Sequence, residues 1–304
     1  MVQLQQLRYM VCVAEEKRFT RAAARLHVAQ PSISSAVAAL EQELGATLFH
    51  RDRSEVTLTG AGEVFLPWAR QVLADCDAGA AAVRDLLGLE RGRLVIGATP
   101  SLTTNLLPPV LSRFHVDHLG VEMTVHEAGS QELVERLSRG EMDLAVVILP
   151  VDRPSVRADA LMQEELVLAV NRSHPLAHRR VIRVNELETV PLVMFKDGYD
   201  LREATLAACR QAGFVPVMAM QGLEMDGALA LAAAGVAAAV VPGSVVAATG
   251  PLKAIRFRGA SLQRTIGLAS RRDRPLSPSA AVFVDALRRH MEKLHADQES
   301  ARAT

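Results

Sequence analysis

The stretch from Phe19 to Leu44, FTRAAARLHVAQPSISSAVAALEQEL, constrains this chain more than any other. It reads as two short helices joined by a tight turn. The first runs from Thr20 to His27, with the Thr20 hydroxyl placed to cap it. Ala22, Ala23 and Ala24 allow close helix approach, and Leu26 and Val28 supply apolar anchors at the turn. The second starts near Pro31, where a missing N–H is harmless in the first turn. Ile33, Val37, Leu40 and Leu44 then recur at i, i+4, i+7 and i+11, one stripe of a helix. At about 100° per residue, Ser34, Ser35, Ala38 and Gln42 lie on the other side. A helix of this kind can seat one face on a core and offer small polar groups to the major groove, as in a helix-turn-helix. A buried amphipathic hairpin has the same apolar pattern.

The outer face has groove chemistry. Serine donates to or accepts from base edges, glutamine pairs with adenine, and an alanine methyl packs on a thymine methyl. Gln30 stands at the helix start, where backbone N–H groups favour a phosphate. Lys17, Arg18, Arg21 and Arg25 are basic, and no acidic residue intervenes between Lys17 and Leu40. Thr20, Arg21, Gln30, Pro31, Ser32, Ser34 and Ser35 are therefore the candidate DNA contacts in this segment. Downstream, residues 48–53 (LFHRDR) and 56–59 (VTLT) read as a β-hairpin around a polar tip. Arg51 and Arg53 can reach phosphate or the minor groove from it, or remain solvated charges. With Thr59 opening a further helix, the segment becomes a winged helix-turn-helix, which a plain core hairpin does not explain.

The chain has 304 residues, room for two or three domains. Lys plus Arg and Asp plus Glu are equal at 34 each, which argues against a generic polyanion binder but not against a site-specific one with local basic residues. Its affinity should still fall with salt. No secretory signal opens the chain, and no apolar run reaches about 18 residues, so a cytoplasmic protein without membrane contact is expected. Cys12, Cys76 and Cys209 are scattered, with no Cys-x-x-Cys pair and no metal-ligand cluster; all three read as buried thiols. No metal or cofactor is called for.

From 60 to 89 the chain reads as one long helix, with Phe65, Trp68, Val72, Val83 and Leu86 along a side and Pro67 at a kink or early turn. Such a helix cannot bury its apolar side alone. A partner helix from a second subunit would cover it and space two recognition helices along DNA; an intramolecular core helix is the other reading. After Arg91-Gly92 the period changes. Strands at 94–98, 121–127 and 144–148 alternate with helices at 106–114 and 132–139, then 164–170 reads as a crossing strand. A second unit runs through strand 192–195, helix 201–212, strand 217–221, helix 225–234 and strand 237–241. Residues 266–270 return to the first unit, and an amphipathic helix from Ser279 to His295 closes the chain. Alternation of this kind implies an α/β fold. The expected domains are 1–59 for DNA binding, 60–90 for the linker helix and 91–304 for ligand binding, with lobe I about 91–162 and 268–304 and lobe II about 163–267.

Open α/β sheets bind ligands beyond the carboxyl ends of their strands, where helix N-termini favour anions. Three such ends carry polar side chains: Thr99, Ser101 and Thr103 after the first strand, Ser130 after the second, and Phe195-Lys-Asp-Gly-Tyr199 with Arg202 in the second lobe. The expectation is a small anionic metabolite between the lobes. Ser101 and Ser130 would hold its carboxylate, Lys196 or Arg202 would supply charge, and Ile148, Phe195 and Tyr199 would form an apolar wall. Simpler roles exist for several of these: Ser101 as a helix cap, Arg202 as a surface charge, Phe195 as core.

The fragments Phe19-Thr-Arg-Ala-Ala-x-x-Leu26, Gln30-Pro-Ser-Ile-Ser34, Leu40-Glu-x-Glu-Leu-Gly45, Leu48-Phe-x-Arg51 and Leu58-Thr-x-x-Gly62 resemble, in order and spacing, the LysR-type transcriptional regulators. Gly140-x-x-Asp143-Leu-Ala, His174-Pro-Leu-Ala177 and Gly235…Val241-Pro242 extend the resemblance. It implies a homodimeric or homotetrameric regulator that binds double-stranded DNA and responds to a small-molecule effector. It also implies a periplasmic-binding-protein-like (type 2) effector domain of two lobes, in which Ser101 and Ser130 match effector-contact positions. Two features depart from the family. Ser35, Ala38 and Ala39 stand where basic or amide residues are common, so base reading would rest on small side chains and DNA shape. The second glycine usual after Gly235 is Ala237. Some members sense peroxide through two effector-domain cysteines; only Cys209 lies there.

Two other functional classes fit the sequence less well. An enzyme finds no support in a Gly-x-Gly-x-x-Gly after a strand, a Walker loop, a Gly-x-Ser-x-Gly or a His-Glu-x-x-His, and no catalytic residues are assigned. An exported solute-binding protein would explain the C-terminal half alone and would need a signal peptide.

Overall fold

The computed structural model describes residues 1–51, 56–86, 92–248, 250–259 and 262–303. The chain forms two compact units, Met1–Leu89 with Arg139–Glu141, and Glu90–Ser138 with Met142–Thr304.

The first unit is a winged helix-turn-helix followed by a long helix. α1 (Leu4–Glu16), α2 (Phe19–Arg25) and α3 (Gln30–Leu44) surround a core of Leu7, Met10, Val13, Ala22, Ile33, Val37 and Leu40. The stripe expected on the second helix is thus the buried one, except Leu44, which is exposed at the helix end. β1 (Phe49–Arg51) and β2 (Val56–Leu58) pair antiparallel as the wing. α4 (Gly60–Leu86) opens with Thr59, whose hydroxyl accepts the Gly62 N–H at 3.1 Å and donates to the Thr47 carbonyl at 2.6 Å. Gly62 is needed there, because a Cβ would come within 2.1 Å of the Leu48 carbonyl oxygen.

Several expectations are corrected in this unit. Thr20 does not cap α2. The helix starts one residue earlier, because Lys17 takes a left-handed conformation (φ 54°) that ends α1 and turns the chain at Arg18. His27, at φ 54°, belongs to the turn rather than the helix. Phe65 and Trp68 point to different sides of α4: Phe65, Leu66, Ala69 and Leu73 pack on the core, whereas Val64, Trp68, Val72 and Val83 are exposed. Pro67 lies inside the helix, and Cys76 is exposed; Cys12 and Cys209 are buried.

The second unit is α/β. In its first lobe β3 (Gly92–Ala98) runs parallel to β4 (Val121–Glu127) and β5 (Leu144–Leu149). α5 (Pro100–Thr104), α6 (Leu107–Asp117) and α7 (Ser130–Ser138) connect them. The sheet then turns antiparallel through β12 (Gln263–Arg271), which pairs with both β5 and β6 (Val156–Asn171). Apolar clusters lie on the two faces of this sheet. One gathers Leu94, Ile96, Phe114 and Phe283, the last from α11 (Pro278–Ala303). The other gathers Val95, Leu133, Leu137 and Val147. α11 continues past His295, the end expected from sequence, to Ala303.

The second lobe grows on the far end of β6. Its last residues pair with β10 (Ala239–Pro242) and β11 (Leu252–Phe257), and β11 pairs with β7 (Val181–Ile182). β8 (Leu192–Phe195) and β9 (Met218–Leu223) lie parallel; α8 (Asp200–Gln211) and α9 (Met225–Ala233) pack against β8, and α10 (Gly243–Ala248) against β6, β10 and β11. β6 and β12 are thus the two strands that carry the chain between lobes. β6 is longer than the crossing strand read from sequence, because its first half is only half-buried and carries Arg157, Asp159, Gln163 and Glu164 among its apolar residues. No helix among the described residues is long and apolar enough to cross a membrane.

Candidate functional site

Two sites emerge, one in each unit. In the head, α3 exposes Gln30, Pro31, Ser32, Ser35, Ala38, Ala39 and Gln42 opposite its buried stripe. Ser34 is half-buried and accepts from Gln30 Nε2 at 3.4 Å. Thr20 and Arg21 are exposed on α2. Arg25 is drawn out of the basic cluster, since its guanidinium meets Glu15 at 2.9 Å and Glu16 at 3.0 Å. Glu41 is not among the contacts expected from sequence. In the structure its Oε1 accepts the N–H groups of Leu48 (2.8 Å) and Phe49 (3.3 Å), pinning the wing to the recognition helix. Arg51 lies on β1 with its side chain outside the description, and Arg53 lies outside the described residues altogether.

The second site lies at the strand ends where the lobes meet. Thr99, Ser101 and Ser130 are all buried there. Ser101 is held from β12: its hydroxyl accepts from Arg264 at 2.8 Å, while the same guanidinium pairs with Glu164 at 2.6 Å and Ser244 donates to Glu164 at 2.6 Å. This network links α5, both crossing strands and α10. Ser101 is therefore not a helix cap: it lies inside α5, whose N-cap is Thr99 with no side-chain capping bond, and its hydroxyl serves the Arg264 network instead.

Ser130 is the N-terminal residue of α7. Its hydroxyl accepts the Ile148 N–H at 2.9 Å and donates to the Asp200 carboxylate at 2.9 Å; its own N–H reaches the same oxygen at 3.3 Å. Asp200 comes from the start of α8 in the other lobe. Burial pushes its carboxyl above the ordinary range, against the Ser130 hydrogen bonds and the more distant Arg264 charge, which pull it down. The backbones are equally close: a Cβ on Gly129 would fall 2.1 Å from the Gly198 carbonyl oxygen. The Thr99 hydroxyl is buried with no hydrogen-bonding partner among the described residues.

The remaining candidates are placed otherwise than expected. Phe195 is a core residue of the second lobe, so it cannot serve as an exposed apolar wall. Tyr199 is buried too; its hydroxyl meets Glu224 and its pKa is pushed up to about 12, first by burial and then by that carboxylate. Lys196 lies over the Tyr199 ring and pairs with Glu224, which raises the lysine and lowers the glutamate. Arg202 pairs with Asp197 at 2.9 Å and donates to the Phe195 carbonyl at 3.0 Å. Both proposed cations are thus engaged locally. Thr103 bonds to Glu127, and Ile148 is half-buried beside Ser130. Sequence reading missed Asp200, Glu164 and Arg264. The helix-start position of Asp200 was a visible signal, but its partner across the lobes was not.

Comparison with known proteins gives one consistent result. Residues 4–63 match the family model of the bacterial regulatory helix-turn-helix proteins of the lysR family, and residues 87–292 match the LysR substrate binding domain. The transcriptional dual regulator GltC of Bacillus subtilis is 32% identical over 96% of this chain and 99% of its own. The hydrogen peroxide-inducible genes activator of Dickeya chrysanthemi is 30% identical over 99% of each chain. Among solved structures, full-length CbnR complexed with its target DNA superposes with a TM-score of 0.69 at 29% identity, covering 95% of this chain and 99% of that one. A full-length OxyR variant from Pseudomonas aeruginosa superposes with a TM-score of 0.74 at 27% identity, covering 95% and 98%.

Proposed function

Because the chain belongs to the LysR family of bacterial transcription regulators, we propose that it binds a specific operator through α3 and changes its grip when a small metabolite enters between the lobes of its effector domain. The observation that carries this reading is the two-sided recognition helix. Ile33, Val37 and Leu40 are fully buried while Gln30, Ser32, Ser35 and Ala38 face outward on the same helix. Residues 1–59 then form the reader, 60–90 the linker and 91–304 the sensor, working in the cytoplasm as a homodimer or homotetramer joined through α4.

On DNA, Gln30 and Ser35 read base edges, and Thr20, Arg21, Ser32 and the first amides of α3 hold phosphates. With Ala38 and Ala39 facing outward, discrimination leans on methyl contacts and DNA shape. In the sensor, the ligand carries an acidic group that engages Thr99, Ser101 and Ser130. It shifts the lobe arrangement only by its differential affinity for the two states. A footprint on the region upstream of the chain's own gene, taken at low and raised salt with and without a panel of mono- and dicarboxylates, tests the whole. Protection that weakens with salt and changes with one acid is expected. A chain that protects no sequence at low salt removes the reading.

A further inference from the structure

The α7 N-terminus is the place where an acidic ligand would be received, and the protein already puts a carboxylate there. Asp200 Oδ2 accepts from both the hydroxyl and the N–H of Ser130. The acid belongs to one lobe and the donors to the other, so the contact is a clasp across the cleft. Gly129 and Gly198 flank it, with a Cβ on Gly129 falling 2.1 Å from the Gly198 carbonyl oxygen, and both Ser130 donors are taken by Asp200 while the clasp is made. The guanidinium whose charge acts on Asp200, that of Arg264, is committed to Glu164 and Ser101 and makes no hydrogen bond to Asp200 among the described residues. A desolvated carboxylate with hydroxyl and amide donors but no paired cation is held less firmly than an ion pair. One buried donor on the same sheet end, the Thr99 hydroxyl, is left uncommitted. It follows Ala98, whose carbonyl accepts the Ala128 N–H two residues before Ser130.

We propose that Asp200 is a tethered acid group occupying the anion seat of the cleft, so that an acidic effector reaches Ser130 only by exchanging with it and parting the two lobes. This rests on the cleft reading above and adds its direction: ligand entry unclasps the lobes rather than closing them. Asp200 thereby sets specificity as well. A competing acid must outmatch a carboxylate held at high effective concentration by its own chain, so simple monoacids are excluded and only ligands with further anchoring groups succeed.

The full-length chain and formate, the detached equivalent of the Asp200 carboxylate, supply the test. Thermal unfolding is followed in formate against chloride at equal ionic strength. Wild type and Asp200→Asn, both with the seat filled, are expected to respond alike to the two salts. Asp200→Ala is expected to gain a saturable rise in midpoint with formate only, and the added change Ser130→Ala is expected to abolish it. If Asp200→Ala folds only with formate present, that rescue is the expected result in another form. An Asp200→Ala chain indifferent to formate, or a wild type that responds as strongly, overturns the proposal. A second measurement uses Ser130→Ala alone: amide exchange should quicken together at 128–134 and at 196–203, one segment in each lobe. Quickening confined to 128–134 also overturns it. Neither readout involves DNA, so a lost footprint would strike the regulator reading and leave the clasp standing.

Discussion

Arg264 and Glu164 stand directly opposite each other on β12 and β6, and the Nε and Nη2 of Arg264 both donate to Glu164 Oε2, at 2.9 and 2.6 Å. The pair sits where both crossing strands pass between lobes, with side-chain exposures of 3% and 13%. Removing one partner from a buried pair leaves an uncompensated charge and costs about 3–5 kcal/mol, whereas apolar replacement of both can be neutral. Glu164→Ala is therefore expected to destabilise the effector domain by roughly that much, and Arg264→Met with Glu164→Leu to recover most of it in urea unfolding. The double variant should lose the Ser101 contact and, with it, effector response.

Glu41 couples the reader to its wing through two backbone donors. Glu41→Ala leaves the Leu48 and Phe49 N–H groups without their acceptor, at about 1–3 kcal/mol for part-buried donors. The head should unfold earlier, and the footprint should lose protection at its wing-contacted flanks before its centre. Glu41→Gln, which retains one acceptor oxygen, should restore most of both. Equal footprints for wild type and Glu41→Ala would show that the wing is held by its apolar contacts alone.

The head was legible because its signals are local: the stripe Ile33, Val37, Leu40 and the positions of Pro31 and Thr59 act within one or two turns. Boundaries slipped where a single residue overrode propensity, as at Lys17, whose left-handed turn moved the start of α2 and cancelled the Thr20 cap. The sensor's strands were legible as short apolar runs, but β6 was read at half its length because its hinge half interleaves charges with half-buried apolar residues. The site itself was only partly legible. Ser101 and Ser130 were found from helix starts, yet their partners Arg264 and Asp200 lie 163 and 70 residues away in sequence. The surroundings of Lys196, Arg202 and Phe195 were illegible for the same reason: burial of Phe195 and ion pairing with Glu224 and Asp197 are tertiary facts.

Val64, Trp68 and Val72 recur every four residues on α4 and leave large apolar surface in water; Val64 is 70% and Trp68 67% exposed. The other side of the helix is already spent on the head's core through Phe65 and Ala69. Trp68→Arg should weaken self-association by one to several orders of magnitude, read by sedimentation, since a buried aromatic anchor contributes roughly 2–4 kcal/mol to an interface. The head's own stability should be unchanged, because Trp68 is absent from its core. A chain that sediments unchanged would place the dimer contact elsewhere.

Asp200 gives the sensor a pH signature with a definite sign. Its folded-state carboxyl is raised, burial being the largest cause. Between the ordinary carboxylate value and that raised value the folded chain binds more protons than the unfolded one, so stability falls as pH rises through this window. The contribution is fully present below the unfolded pKa and lost once pH has passed the folded one. Asp200→Asn keeps the shape and cannot ionise. Its stability relative to wild type should therefore climb as pH rises from the acidic side of the window and level off above it, measured by urea unfolding at each pH. Using the difference removes the many surface carboxylates that titrate in the same range. A difference that stays flat with pH would mean that Asp200 is not desolvated in the folded protein. A difference that falls would mean that its carboxylate has a closer cationic partner than Arg264.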